Sequence, residues 1–151
     1  MKSLPIGFAA LVALCHPAFA QDDAVAVRKA LMDSVAASAA VSGGVMKGEI
    51  DYVPAIGKAA IEAINATAQS YGFFFPEGTD GETDSRSTAS PKIWTDRAGF
   101  DAEIAKLQAA VGAAREAGGK DGPADAAAFA AAIEPVLGTC RSCHEGYRIK
   151  R

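Results

Sequence analysis

The chain has 151 residues, half of them hydrophobic, and its 15 basic side chains stand against 18 acidic ones for a formal net charge of −3. That length suits one domain with a buried core, and the acidic balance excludes nucleic acid, whose binders carry basic patches. Alanine is abundant and clusters of β-branched residues are scarce, so propensity predicts helix almost everywhere and no sheet.

Met1-Lys2-Ser3 precedes an apolar run from Leu4 to Leu14, and Ala18-Phe19-Ala20 follows. A charged start, a short apolar stretch and an A-x-A cleavage site read as a secretory signal spanning residues 1–20. The run is too short for a permanent anchor, so no membrane attachment is expected after cleavage. Cys15 and His16 leave with the signal. The remaining 21–151 domain then keeps two of the three cysteines and one of the two histidines, and is one unit of charge more negative.

A first helix is expected from an Asp22 or Asp23 cap to about Ala40, with Ala24, Val27, Arg28, Leu31, Met32, Val35 and Ala39 at helical spacing and Ser42-Gly43-Gly44 as its stop. A second runs from near Asp51 to about Tyr71, with Val53, Ile56, Ala60, Ile64 and Ala68 as its apolar stripe. Residues 72–90 carry Gly, Pro and Asp/Ser/Thr turn chemistry without a period, and read as a long connection whose three aromatics, Phe73, Phe74 and Phe75, need cover. The third helix starts near Arg97, shows Phe100, Ile104, Leu107, Val111 and Ala114 in a bundle-seam rhythm, and ends at Gly118-Gly119. The last starts near Pro123-Ala124-Asp125 and runs towards Arg151, with a kink expected at Pro135. Four amphipathic helices joined in this way predict an all-α fold, an antiparallel four-helix bundle with a cofactor packed between its helices near the C-terminal end.

The chemistry is concentrated in Cys140-Arg141-Ser142-Cys143-His144. Cys-x-x-Cys-His is the attachment motif of c-type haem, in which two thiols add to the porphyrin vinyl groups and the imidazole binds the iron. On a helix these positions are i, i+3 and i+4, so one face offers both sulfurs and the ring nitrogen to a single flat ligand. Tyr147 and Arg148 continue that face. A zinc site needs a second ligand pair and a dithiol redox site needs strand-rich surroundings, and the 21–151 domain supplies neither. One haem c, held by two thioethers with His144 as axial ligand, is therefore expected. With the two thiols consumed, no disulfide can form, and export places the protein in the bacterial periplasm.

Four segments together resemble the cytochrome c′ family: Arg28-Lys29-Ala30-Leu31-Met32, Phe75-Pro76-Glu77-Gly78-Thr79, Pro91-Lys92-Ile93-Trp94 and Cys140 to Arg148. The resemblance implies a left-handed four-helix bundle, a homodimer through the first two helices, and a five-coordinate, high-spin iron. It also implies that a first-helix side chain, Met32 by position, closes the sixth site. Arg148 takes the place of the basic residue beside the proximal histidine, and Arg28 that of an arginine near the haem propionates, while the often-following glutamine is Lys29 here. Phe75 and Trp94 read as packing at the haem edge.

Met32 itself is plain core packing, a pocket lid or a sulfur ligand to iron, and the residues leave the three open. A lid predicts a binder of small diatomic gases, nitric oxide and carbon monoxide, with electron transfer as a further capacity. Ligation predicts the alternative, a low-spin Met/His one-electron carrier of the same fold. No distal His is available for O–O cleavage, so the chain reads as a binding or carrier protein and not an enzyme. The redox partner is not legible from the residues.

Overall fold

The computed structural model describes residues 23–150, so the expected signal over residues 1–20 lies outside the described residues. Four long helices dominate: α1 Ala24–Met46, α2 Pro54–Ser70, α4 Arg97–Gly118 and α5 Ala126–Tyr147, with a single-turn α3 at Lys92–Thr95 and a 3₁₀ turn at Tyr71–Phe73. The protein is all-helical and forms the expected four-helix bundle; among the described residues the only β-type pairing is an isolated bridge between Ala89 and Arg148. No helix among the described residues is long and apolar enough to cross a membrane.

Local chemistry sets most helix ends. The Asp23, Asp96 and Asp125 carboxylates accept from the backbone N–H groups of Ala26, Gly99 and Ala128, satisfying donors that the first turns of α1, α4 and α5 leave free. Pro54 opens α2 three residues later than expected, because its fixed φ suits the first helical position and its missing N–H costs nothing there. Gly119, at φ 58°, ends α4 in a backbone region that side chains other than glycine resist. Helix α5 is unbroken through Pro135.

The first helix departs from expectation by continuing through Ser42-Gly43-Gly44 to Met46. Two interior glycines cost about 1 kcal/mol each, and tertiary packing outweighs that. A Cβ on Gly44 would lie 2.6 Å from Ile50 Cδ1, so a small residue lets the 47–53 turn fold back onto the helix. Ser38 and Ser42 also stay within the helix by donating their hydroxyls to Ser34 O and Ser38 O at 3.0 and 2.7 Å.

The main core is built by Ile61, Ile64, Val111, Phe129, Ile133 and Val136 from α2, α4 and α5, with Val35 and Val45 from α1. A second cluster of Phe75, Ile93, Phe100 and Tyr147 closes the end of the bundle that carries the Cys-x-x-Cys-His motif. Of the three aromatics in the connection only Phe75 is buried, while Phe73 stays 84% exposed. Ala60, on the predicted stripe of α2, belongs to the core, whereas Ala59 beside it is exposed.

Candidate haem site

One cavity of about 410 Å³ opens beside the second cluster, and it gathers residues far apart in sequence. Arg28, Met32, Phe75, Cys140, Cys143, His144 and Arg148 all line it. Helices α1 and α2 contribute Met32, Val35, Ala36 and Ala68 to its lining, the turn after α2 adds Tyr71, and α4 and α5 contribute Glu103, Leu107, Cys140, Cys143 and His144. Two thiols and an imidazole thus come from one helix face to a mostly apolar chamber that the Met32 thioether also lines. That donor set and shape fit a large flat apolar group bound through the Cys-x-x-Cys-His chemistry.

The electrostatics match this use. Burial raises both thiols, Cys143 to about 11 with Glu103 and Cys140 adding to the effect, so both remain protonated at neutral pH. Burial, followed by the charge of Arg148, holds the His144 imidazole below its usual pKa. The neutral ring that this favours is the form that binds iron. Glu103 reaches across from α4 to accept from Ser142 Oγ at 2.7 Å, inside the motif, and pairs with Lys106 at 2.5 Å.

Arg28 is 4% exposed, and its partners are neutral. Nη1 donates to Phe74 O and Thr79 Oγ1, both at 2.8 Å, and Nη2 to Thr79 O at 2.7 Å and Ser87 Oγ at 3.0 Å. Its guanidinium also lies 4.6 Å from the Phe75 ring centroid. One arginine on α1 therefore pins the 74–87 connection over the cavity. Arg28→Met should lower the stability of the holoprotein by about 3 kcal/mol, because four acceptors lose a charged donor at once. Chemical denaturation checks this; a loss below about 0.5 kcal/mol would show that the connection is held by other contacts.

The connection is also ordered by its own side chains. Asp80 accepts from the backbone N–H groups of Glu82 and Thr83, and Arg86 pairs with Asp84 and with Asp23 at the start of α1. Two sequence readings change here. Trp94 does not line the cavity: it packs edge-on to Phe75 at 6.1 Å and donates Nε1 to Phe75 O at 3.2 Å. Arg148 lies beyond the end of α5 in extended backbone (φ −121°, ψ 133°), bridged to Ala89, so it reaches the cavity from a strand-like segment and not from the helix face. Sequence reasoning missed Tyr71 and Glu103. Glu103 stands three residues after Phe100 and four before Leu107, a spacing that marks the inward face.

A bundle that turns a Cys-x-x-Cys-His motif into an apolar cavity defines a c-type cytochrome. A family model described as Cytochrome C' matches residues 23–148, and the chain belongs to the cytochrome c′ family. It is 36% identical over 143 residues to a cytochrome c-556 of Rhodopseudomonas palustris, covering 93% of each chain. It is 35% identical to the cytochrome c' of the same organism, over 89% of this chain and 87% of that one. The solved structure of cytochrome c' from R. palustris aligns with a TM-score of 0.74 at 34% identity, covering 85% and 98% of the two chains. A nitric oxide complex of a mutant of cytochrome c prime from Alcaligenes xylosoxidans aligns at 0.71 with 28% identity, over 86% and 97%.

Proposed function

We propose that this protein is an exported, periplasmic haem c protein that binds nitric oxide and carbon monoxide at a five-coordinate, high-spin iron. Cys140 and Cys143 would hold the haem by two thioethers, and His144 would bind its iron. Arg28 and Arg148 place positive charge at the cavity, where propionates need it. Haem supplies an iron centre that takes up diatomic gases and exchanges single electrons. The observation that carries the reading is that Met32 lines the same cavity as His144 from a different helix, together with Val35, Ala36 and Ala68. A thioether on three rotatable bonds yields to a small neutral gas, and its apolar neighbours give water little to hold. The nitric oxide complex of the A. xylosoxidans relative supports the same reading. A homodimer through α1 and α2 accompanies it, since the exposed Ala59 allows close approach of a second copy.

The optical spectrum of the reduced protein tests the proposal. A high-spin ferrous spectrum that shifts on adding carbon monoxide is expected. A low-spin spectrum indifferent to the gas favours the second reading, a Met32/His144-ligated electron carrier. The relatives that bear the name cytochrome c-556 are the observation on the side of that reading.

A further inference from the structure

The charged side chains that line the cavity differ in how far water reaches them. Lys29, Arg86 and Arg148 are exposed residues, so solvent screens their fields. Arg28 is buried and gives its Nη hydrogens to neutral acceptors of the 74–87 connection. Of the two carboxylates on the lining, Asp33 is exposed, while the Glu103 side chain on α4 is only 14% exposed. Both Glu103 oxygens are held in place: Oε1 accepts from Lys106 Nζ at 2.5 Å and Oε2 from Ser142 Oγ at 2.7 Å. Those two hydrogen bonds hold its carboxyl below the usual pKa, so the group is an anion at neutral pH.

Ser142 stands between Cys140 and Cys143, so Glu103 is tied to the very segment that carries the attachment chemistry. Its charge already adds to the upward shift of the Cys143 thiol. A clasp between α4 and α5 needs no charge, because a glutamine oxygen would accept from Ser142 Oγ as well. What the carboxylate adds is a fixed negative charge beside a mostly apolar chamber, where a field acts more strongly than in water. Ferric haem carries one more positive charge than ferrous haem, and a nearby anion therefore stabilises the oxidised form. Resting on the haem reading of this cavity but not on gas binding, we infer that Glu103 tunes the reduction potential of the bound haem, holding it lower than an uncharged side chain at that position would. Lys106 opposes the effect only in part, since its side chain is 60% exposed.

The test is the midpoint potential of the ferric/ferrous couple in the holoprotein, read optically at an electrode, for the unmodified protein, Glu103→Gln and Lys106→Gln. Glutamine at position 103 keeps the size of the side chain and an acceptor for Ser142, and removes only the charge. It should raise the ferrous-to-ferric ratio at a given electrode potential about tenfold, equivalent to about 59 mV for one electron. Lys106→Gln strips the carboxylate of its counter-charge and should move the ratio the other way by a smaller factor. Opposite signs are what a merely structural clasp would not produce. Potentials that agree within about twofold in that ratio across the three proteins overturn the inference, whatever stability Glu103→Gln loses, and leave Glu103 as a link between α4 and α5. Should Glu103→Gln fail to fold, the Lys106→Gln protein decides alone: a lower potential supports the inference, and an unchanged or higher one overturns it. Unmodified protein that carries no covalently held haem overturns the haem reading itself, a result separate from any shift in potential.

Discussion

Replacing both Cys140 and Cys143 by Ala will leave protein from which acid–acetone extracts all of the haem, whereas the unmodified protein will retain it. The reason is the difference between a covalent bond and packing. Two thioethers survive denaturation, while contacts with Phe75, Leu107 and the α1/α2 lining vanish when the bundle opens. Either single substitution leaves one thioether and should reduce the retained fraction without abolishing it. His144→Ala keeps both sulfurs, so its haem should stay attached and lose its axial ligand, visible as a changed ferric spectrum. Haem that extracts freely from the unmodified protein would overturn the attachment chemistry.

Met32→Ala will raise carbon monoxide affinity by about tenfold, equivalent to about 1.4 kcal/mol. Met32 is only partly buried and belongs to the fringe of the main core, so truncation removes an obstacle without a large cavity penalty. On the lid reading, each ligand that enters the unmodified protein would have to displace the Met32 thioether. Shortening the side chain removes that step, so the association rate should carry most of the change. The competing outcome is equally sharp. If Met32 is an iron ligand, the unmodified ferrous protein is low-spin and the substitution converts it to high-spin. Equilibrium titration and the ferrous spectrum of both proteins separate the two.

Arg28 shows where reading from residues stops. Its place on an apolar stripe shows that a buried arginine there needs partners, and the resemblance to cytochrome c′ points to propionates. In the fold its four Nη hydrogen bonds go to Phe74, Thr79 and Ser87, between 46 and 59 residues away in sequence, and those acceptors have no periodic signature. Trp94 read as packing at the haem edge, and in the fold its ring packs on Phe75 while its indole N–H donates to the Phe75 carbonyl.

What the chain determines by itself is what acts within about four residues. Aspartate caps, a proline at the first position of α2, glycine past the end of α4 and the 3–4 apolar rhythm are local, and they placed four helices. The Cys140, Cys143 and His144 face is local too, because i, i+3 and i+4 meet on any helix. Tertiary structure alone decided the rest. The turn against Gly44 carried α1 past its expected stop, the bridge to Ala89 drew Arg148 out of the helix, and the closing of the bundle brought Tyr71 to the same cavity as His144. Each of these depends on a partner beyond that local reach, and hydrogen-bond satisfaction and close packing settle such partners only as the chain folds back on itself.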